Sequence, residues 1–262
     1  MGTAEVTKNE ENALLEISIL TRARLVAADE ARRLLGLLAS MPPSLRPLRW
    51  GYYEPVRIPF DDLDAPLTEW GQSFIWKGKK THGSVLPDDL DREHGLITAG
   101  AKLRGLTGDE IAALEKFVLS ACEAFDADLG LVHPVTPGEA AEDWGGALLP
   151  TRANEYHLIV ATIDFQRCLP DVYWLNVFGP SYVDLFGRDR LLSVPVGEAR
   201  EIRSELIALR LSSKPCELVE EPTYMRATRE AIKNHLGRDA FCDQLHGPDE
   251  EYRTPDFFAR PR

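Results

Sequence analysis

The stretch Tyr173-Trp174-Leu175-Asn176-Val177-Phe178-Gly179-Pro180-Ser181-Tyr182-Val183-Asp184-Leu185-Phe186-Gly187 decides the fold. An apolar and aromatic run, 172–178, stops at Gly179-Pro180, and a short amphipathic segment then closes at Gly187. This order reads as a buried strand, a turn, and one or two helical turns ended by a glycine. It fixes a core element in the second half of the chain. Trp174, Gly179, Pro180 and Gly187 are read as serving the fold, not contact with a partner.

Working outward, 156–163 and 128–132 read as strands on the N-terminal side. Between 107 and 125 the helix signal is full. Thr107 can cap it, Glu110 stands three residues on as in a capping box, and Ile111, Leu114, Phe117, Val118 and Ala121 form one apolar stripe. Residues 134–152, rich in glycine, proline and acid, read as a long surface insertion. Further upstream, 13–20, 48–58 and 72–77 read as strands, a strand could begin at 83–85, and 96–98 reads as a short strand. Residues 29–40 read as a helix stopped by Pro42-Pro43. Downstream, 200–211 alternates patchily and reads as a strand or a short helix, with strand favoured, and 223–236 reads as a helix ended by Gly237. Strands and helices mix without βαβ alternation. That argues an α+β fold: a mixed, mostly antiparallel sheet with helices packed on one face. The division is a frayed lead-in (1–12), one domain (13–244, with possible similar halves 13–133 and 155–244) and an irregular tail (245–262).

The chain has 262 residues, with 30 basic and 42 acidic side chains, a net charge of −12. That length can bury a full core. That charge argues against phosphate-driven nucleic-acid binding, which calls for clustered Lys and Arg. No apolar run is long enough for a bilayer, and the polar N-terminus does not read as a secretory signal. Cys122, Cys168, Cys216 and Cys242 are far apart with no C-x-x-C, so they read as scattered buried thiols in a reducing, cytoplasmic compartment.

Motifs of catalysis are absent: no Gly-x-Ser-x-Gly, no phosphate-cradling loop, no Gly-x-Gly-x-x-Gly. His133, with Asp126, Asp128 and Glu139 near it in sequence, could form a general-base arrangement, though a lone histidine beside a helix-to-strand joint is more often structural. His82, Asp88, Asp89, Asp91, Glu93 and His94 form a denser group, but without the glycine and spacing of a calcium loop they read as a solvated acidic loop. No metal or cofactor is expected. Trp50, Tyr52, Tyr53, Trp70, Phe74 and Trp76 crowd the first half, either as core or as an anchor set for a partner.

With the 173–187 element in view, the chain resembles immunity proteins of bacterial polymorphic toxin and type VI secretion systems, closest to the immunity protein 52 family. The matching pieces are Tyr173 to Pro180, Tyr182-Val183 and Phe186-Gly187, followed by Leu191-Leu192 and Pro195, with His94-Gly95-Leu96-Ile97 upstream. The insertion and the tail match poorly. The resemblance implies a cytoplasmic antidote, not an enzyme, that binds a cognate toxin of restriction-endonuclease-like fold and occludes its basic cleft with acidic surface. The contact residues then expected are the acidic loops: Asp61, Asp62, Asp64 and Glu69; Asp88, Asp89, Asp91 and Glu93; Glu139, Glu142 and Asp143, with Trp144 as an aromatic anchor. The alternatives are a scaffold or interaction subunit of a larger complex, or a hydrolase using His94 or His133.

Overall fold

The computed structural model of the chain describes residues 13–71, 73–86, 94–136, 148–150, 156–158, 160, 167–242, 251–257 and 259. The strands are β1 (Leu14–Thr21), β2 (Pro47–Gly51), β3 (Ile58–Pro59), β4 (Phe74–Gly78), β5 (Thr81–Leu86), β6 (Gly95–Lys102), β7 (Leu129–Val135), β8 (Leu148–Pro150), β9 (Tyr156–Leu158), β10 (Leu175–Phe178), β11 (Glu198–Arg203) and β12 (Leu206–Arg210). The helices are α1 (Ala28–Ser40), α2 (Asp64–Thr68), α3 (Gly108–Ala124), α4 (Pro180–Phe186), α5 (Arg188–Leu192), α6 (Cys216–Glu220) and α7 (Pro222–Leu236). Ten strands make one sheet in the order β11-β12-β10-β7-β1-β6-β5-β4-β2-β3, and β8 pairs with β9 apart from it. Every pairing in the large sheet is antiparallel. The fold is therefore α+β.

β1 is the spine. It pairs with β6 on one side and β7 on the other, and all eight of its residues are buried. Ile17 and Ile19 face α3, whose Cys122 lies against Gly130 of β7, the cross-strand partner of Ile19. Here Thr107 accepts from the Glu110 N–H and Glu110 accepts from the Thr107 N–H, the expected capping box. α1 packs beside α3 on the same face through Leu34, Leu35 and Leu38. Away from β1, the strands of the first half alternate buried and half-exposed residues along β5 and much of β6, so one face is core and the other meets solvent. α7 reaches that second face over β7, where Arg229 meets His133.

The 173–187 element forms as expected. Asn176 explains its polar centre: its side chain accepts from the Tyr173 N–H at 2.9 Å and donates to the Tyr173 carbonyl at 2.8 Å, pinning the turn into β10. Gly179 is required by space. A Cβ there would lie 2.0 Å from the Ala127 carbonyl oxygen. Pro180 opens α4, and Gly187 leaves it at φ 85°. Phe178, Tyr182, Phe186 and Phe241 stack behind it.

Several expectations are corrected. The strand expected over 48–58 ends at Gly51, and only Ile58–Pro59 rejoins the sheet, as its edge. The single strand expected over 200–211 is a hairpin, β11 and β12, turning at Ser204-Glu205. Two of the four cysteines are bonded: Cys168 and Cys242 form a disulfide across 74 residues, beside the bridge between Leu169 and Phe241. Cys122 is a buried thiol as expected, its pKa pushed up by burial, and Cys216 is half-buried. Of the tail, residues 251–257 form no helix or strand yet are docked: Phe257 is buried, and Arg253 donates to the carbonyls of Leu185 and Leu236. Most of the insertion lies outside the described residues.

Candidate functional site

The acidic residues 61–69 sit on a corner built by β2, β3 and α2. Asp62 is spent locally, accepting from the N–H groups of Asp64 and Ala65 at 2.9 and 3.0 Å to start α2. Asp61, Asp64 and Glu69 are exposed. Glu69 accepts the Tyr52 hydroxyl; burial first, and then this bond, pushes the Tyr52 pKa up to about 12. The Trp70 indole donates to the Leu25 carbonyl at 2.6 Å, which ties α2 to the turn opening α1. Exposed Asp29 in the first turn of α1 therefore joins the same corner. Exposed Tyr53, Leu48 and Ile58 lie on the adjoining β2–β3 segment. Among the described residues, Asp29, Asp61 and Asp64 make no ion pair.

The aromatic group of the first half divides. Trp50, Phe74 and Trp76 are core, with the Phe74 ring in contact with both indoles. Tyr53, 74% exposed, is left as surface. Sequence order alone could not separate them; the register does, because Trp50 and Trp76 pair across β2 and β4 on the helix-covered face. Of the other expected contact residues, Asp88, Asp89, Asp91, Glu93, Glu139, Glu142, Asp143 and Trp144 lie outside the described residues.

The opposite margin is charged but balanced. On and around β11, Arg188 pairs with Glu201, Arg203 with Asp126, and Arg200 and Arg210 with Glu115. Carboxylates there are already neutralised, whereas Asp29, Asp61 and Asp64 at the α1–α2–β3 corner are not.

The candidate histidines are buried. Asp128, which the sequence set beside His133, meets His94 instead. His94 Nε2 lies 3.0 Å from Oδ2, Arg22 Nε donates to Oδ2 at 2.7 Å, and Ser181 Oγ donates to Oδ1 at 3.1 Å. Burial raises the Asp128 pKa, but the bonds from His94 and Arg22 and their charge outweigh it and hold the carboxyl below its ordinary value. The carboxylate stands between hydroxyl and imidazole. Activating a serine needs the imidazole on the hydroxyl, which this order does not provide. Phe257 closes the node: its ring lies edge-on to His94, and Arg22 donates to its carbonyl. His133 has no exposed surface; both ring nitrogens face donors, the Trp174 N–H and Arg229. Among the described residues no cluster of His, Cys, Asp and Glu could hold a metal, and no helix is long and apolar enough to cross a membrane.

Among solved structures, the chain shares its fold with one described as Pseudomonas aeruginosa T6SS protein PA0821. The TM-score is 0.58 at 12% identity, over 94% of this chain and 79% of that one. At this identity the likeness is one of fold. No family model matches the chain, and no curated protein does.

Proposed function

We propose that this chain is an immunity protein of a type VI secretion or related polymorphic toxin system, one that binds a cognate toxin and catalyses no reaction itself. The observation that carries this reading is the fold shared with a T6SS protein along nearly the whole chain, added to the family resemblance of the 173–187 element. The acidic corner supports the finer reading, a toxin with a basic, nuclease-like cleft. Asp61, Asp64, Glu69 and Asp29 supply charge, and Tyr53 and Ile58 supply apolar contact. Such a mixture suits an interface with an aromatic anchor and a charged rim. The Cys168–Cys242 bond supports an encounter in an oxidising compartment, where such bonds persist.

The test is co-expression with the toxin domain encoded beside it, directed to the compartment where that toxin kills. Cell survival and an isolable complex are expected. The Asp61→Asn/Asp64→Asn/Glu69→Gln variant should fold normally and associate roughly ten-fold more slowly at low salt, with the difference shrinking as salt rises. No rescue by soluble protein would sink the reading. Rescue with an unchanged association rate would remove the acidic corner from it.

A further inference from the structure

We infer a second interaction surface on the solvent-facing side of β2, β4, β5 and β6, built for an acidic segment of a protein partner. It is independent of the toxin reading. The register lines up Arg49, Lys77 and His82 across three neighbouring strands. His82 lies opposite Gly100, and Lys102 stands two residues further along that strand. Side chains so placed project from one face, with strands about 4.8 Å apart. Arg49 and Lys102 are exposed and make no ion pair among the described residues. Lys77 is 53% exposed and shares one half-exposed carboxylate, Glu54, at 3.1 Å. Among the described residues, the other carboxylate on this row is Glu16, which is buried beneath His82. A chain of net charge −12 thus presents a row of cations here.

The next row is half-exposed Ser84 and Thr98, whose hydroxyls lie 2.8 Å apart. These groups hydrogen-bond readily to carboxylate or backbone. No Phe, Tyr or Trp of these four strands points from this face: Trp50, Phe74 and Trp76 are all turned into the core. A sheet that reads single-stranded nucleic acid uses aromatic platforms for the bases, and a long polyanion would meet the molecule's overall negative field. A short acidic protein segment needs neither platform nor a global positive charge, because screening confines the interaction to the contact row.

The experiment measures anisotropy of a fluorescein-labelled poly-glutamate peptide with the purified full chain at low and raised salt. Binding that weakens at least about ten-fold in Arg49→Glu/Lys102→Glu, and falls with salt, is expected. Asp61→Asn/Asp64→Asn should bind as the parent does. Thermal melting confirms the fold, and Arg49→Gln/Lys102→Gln provides a milder variant with an intermediate loss. No binding by the parent, equal binding by the charge-reversed variant, or tighter binding of a single-stranded DNA oligonucleotide would each overturn the proposal.

Discussion

Replacing Asp128 by alanine removes the shared acceptor of Arg22, His94 and Ser181 in one step. Breaking a buried pair leaves a desolvated charge behind, so urea denaturation of Asp128→Ala should show a loss of about 3–5 kcal/mol. Because the folded pKa of Asp128 is depressed, its contribution is present above the unfolded value and fades as pH falls through the folded one. A different mechanism governs Gly179→Ala. The new methyl group would press on the Ala127 carbonyl, and a loss of about 1–3 kcal/mol is expected by the same measurement. The two residues differ in how readable they were. Gly179 sits in a local strand–turn–helix pattern that a sequence displays. Asp128 finds partners 34, 53 and 106 residues away, which no local pattern encodes.

Among the elements, α3 was legible to its caps because each signal lies within one turn. Its N-terminus also carries a titration. Hydrogen bonds from Lys80 and Ser44, then the Thr107 N–H, bring the Glu110 pKa down to about 2 from 4.5. A depressed carboxyl stabilises above its unfolded value, and that stability is lost as pH falls from about 4.5 towards 2. Thermal melts of Glu110→Gln should therefore lie below the parent at pH 7 and converge with it at the acid end of this window. Thr107→Ala should cost about 1 kcal/mol at neutral pH by chemical denaturation. The β11–β12 hairpin was misread because its outer strand is half-exposed and charged. Glu198, Arg200, Glu201 and Arg203 obscure the alternation, and Ser204-Glu205 carries no glycine or proline to mark the turn.

At the scale of the molecule, the disulfide joins the segment entering β10 to the segment leaving α7. Closing so long a loop restricts the unfolded chain, so reduction should lower the melting temperature by on the order of 5–10 °C. Calorimetry with and without dithiothreitol, against Cys168→Ser/Cys242→Ser, measures it. Cysteine spacing could not reveal the pairing, since only the folded course of 167–172 beside 240–242 brings the thiols together. Net charge misled in a related way. It averages an acidic corner, a neutralised margin and a cationic face into one figure. Surface exposure of Asp61, Asp64 and Glu69 could be read from their charge, whereas the cross-strand row from Arg49 to Lys102 exists only once the register is known.

An open sheet has two raw margins that invite other chains to polymerise on them. Here one margin is only two residues long and includes Pro59, which has no amide hydrogen to offer. The other is fringed by Arg188, Arg200 and Arg203, each engaged with a carboxylate, so a docking strand would have to disrupt salt links to enter. Both margins of the large sheet therefore carry features that oppose the addition of a further strand.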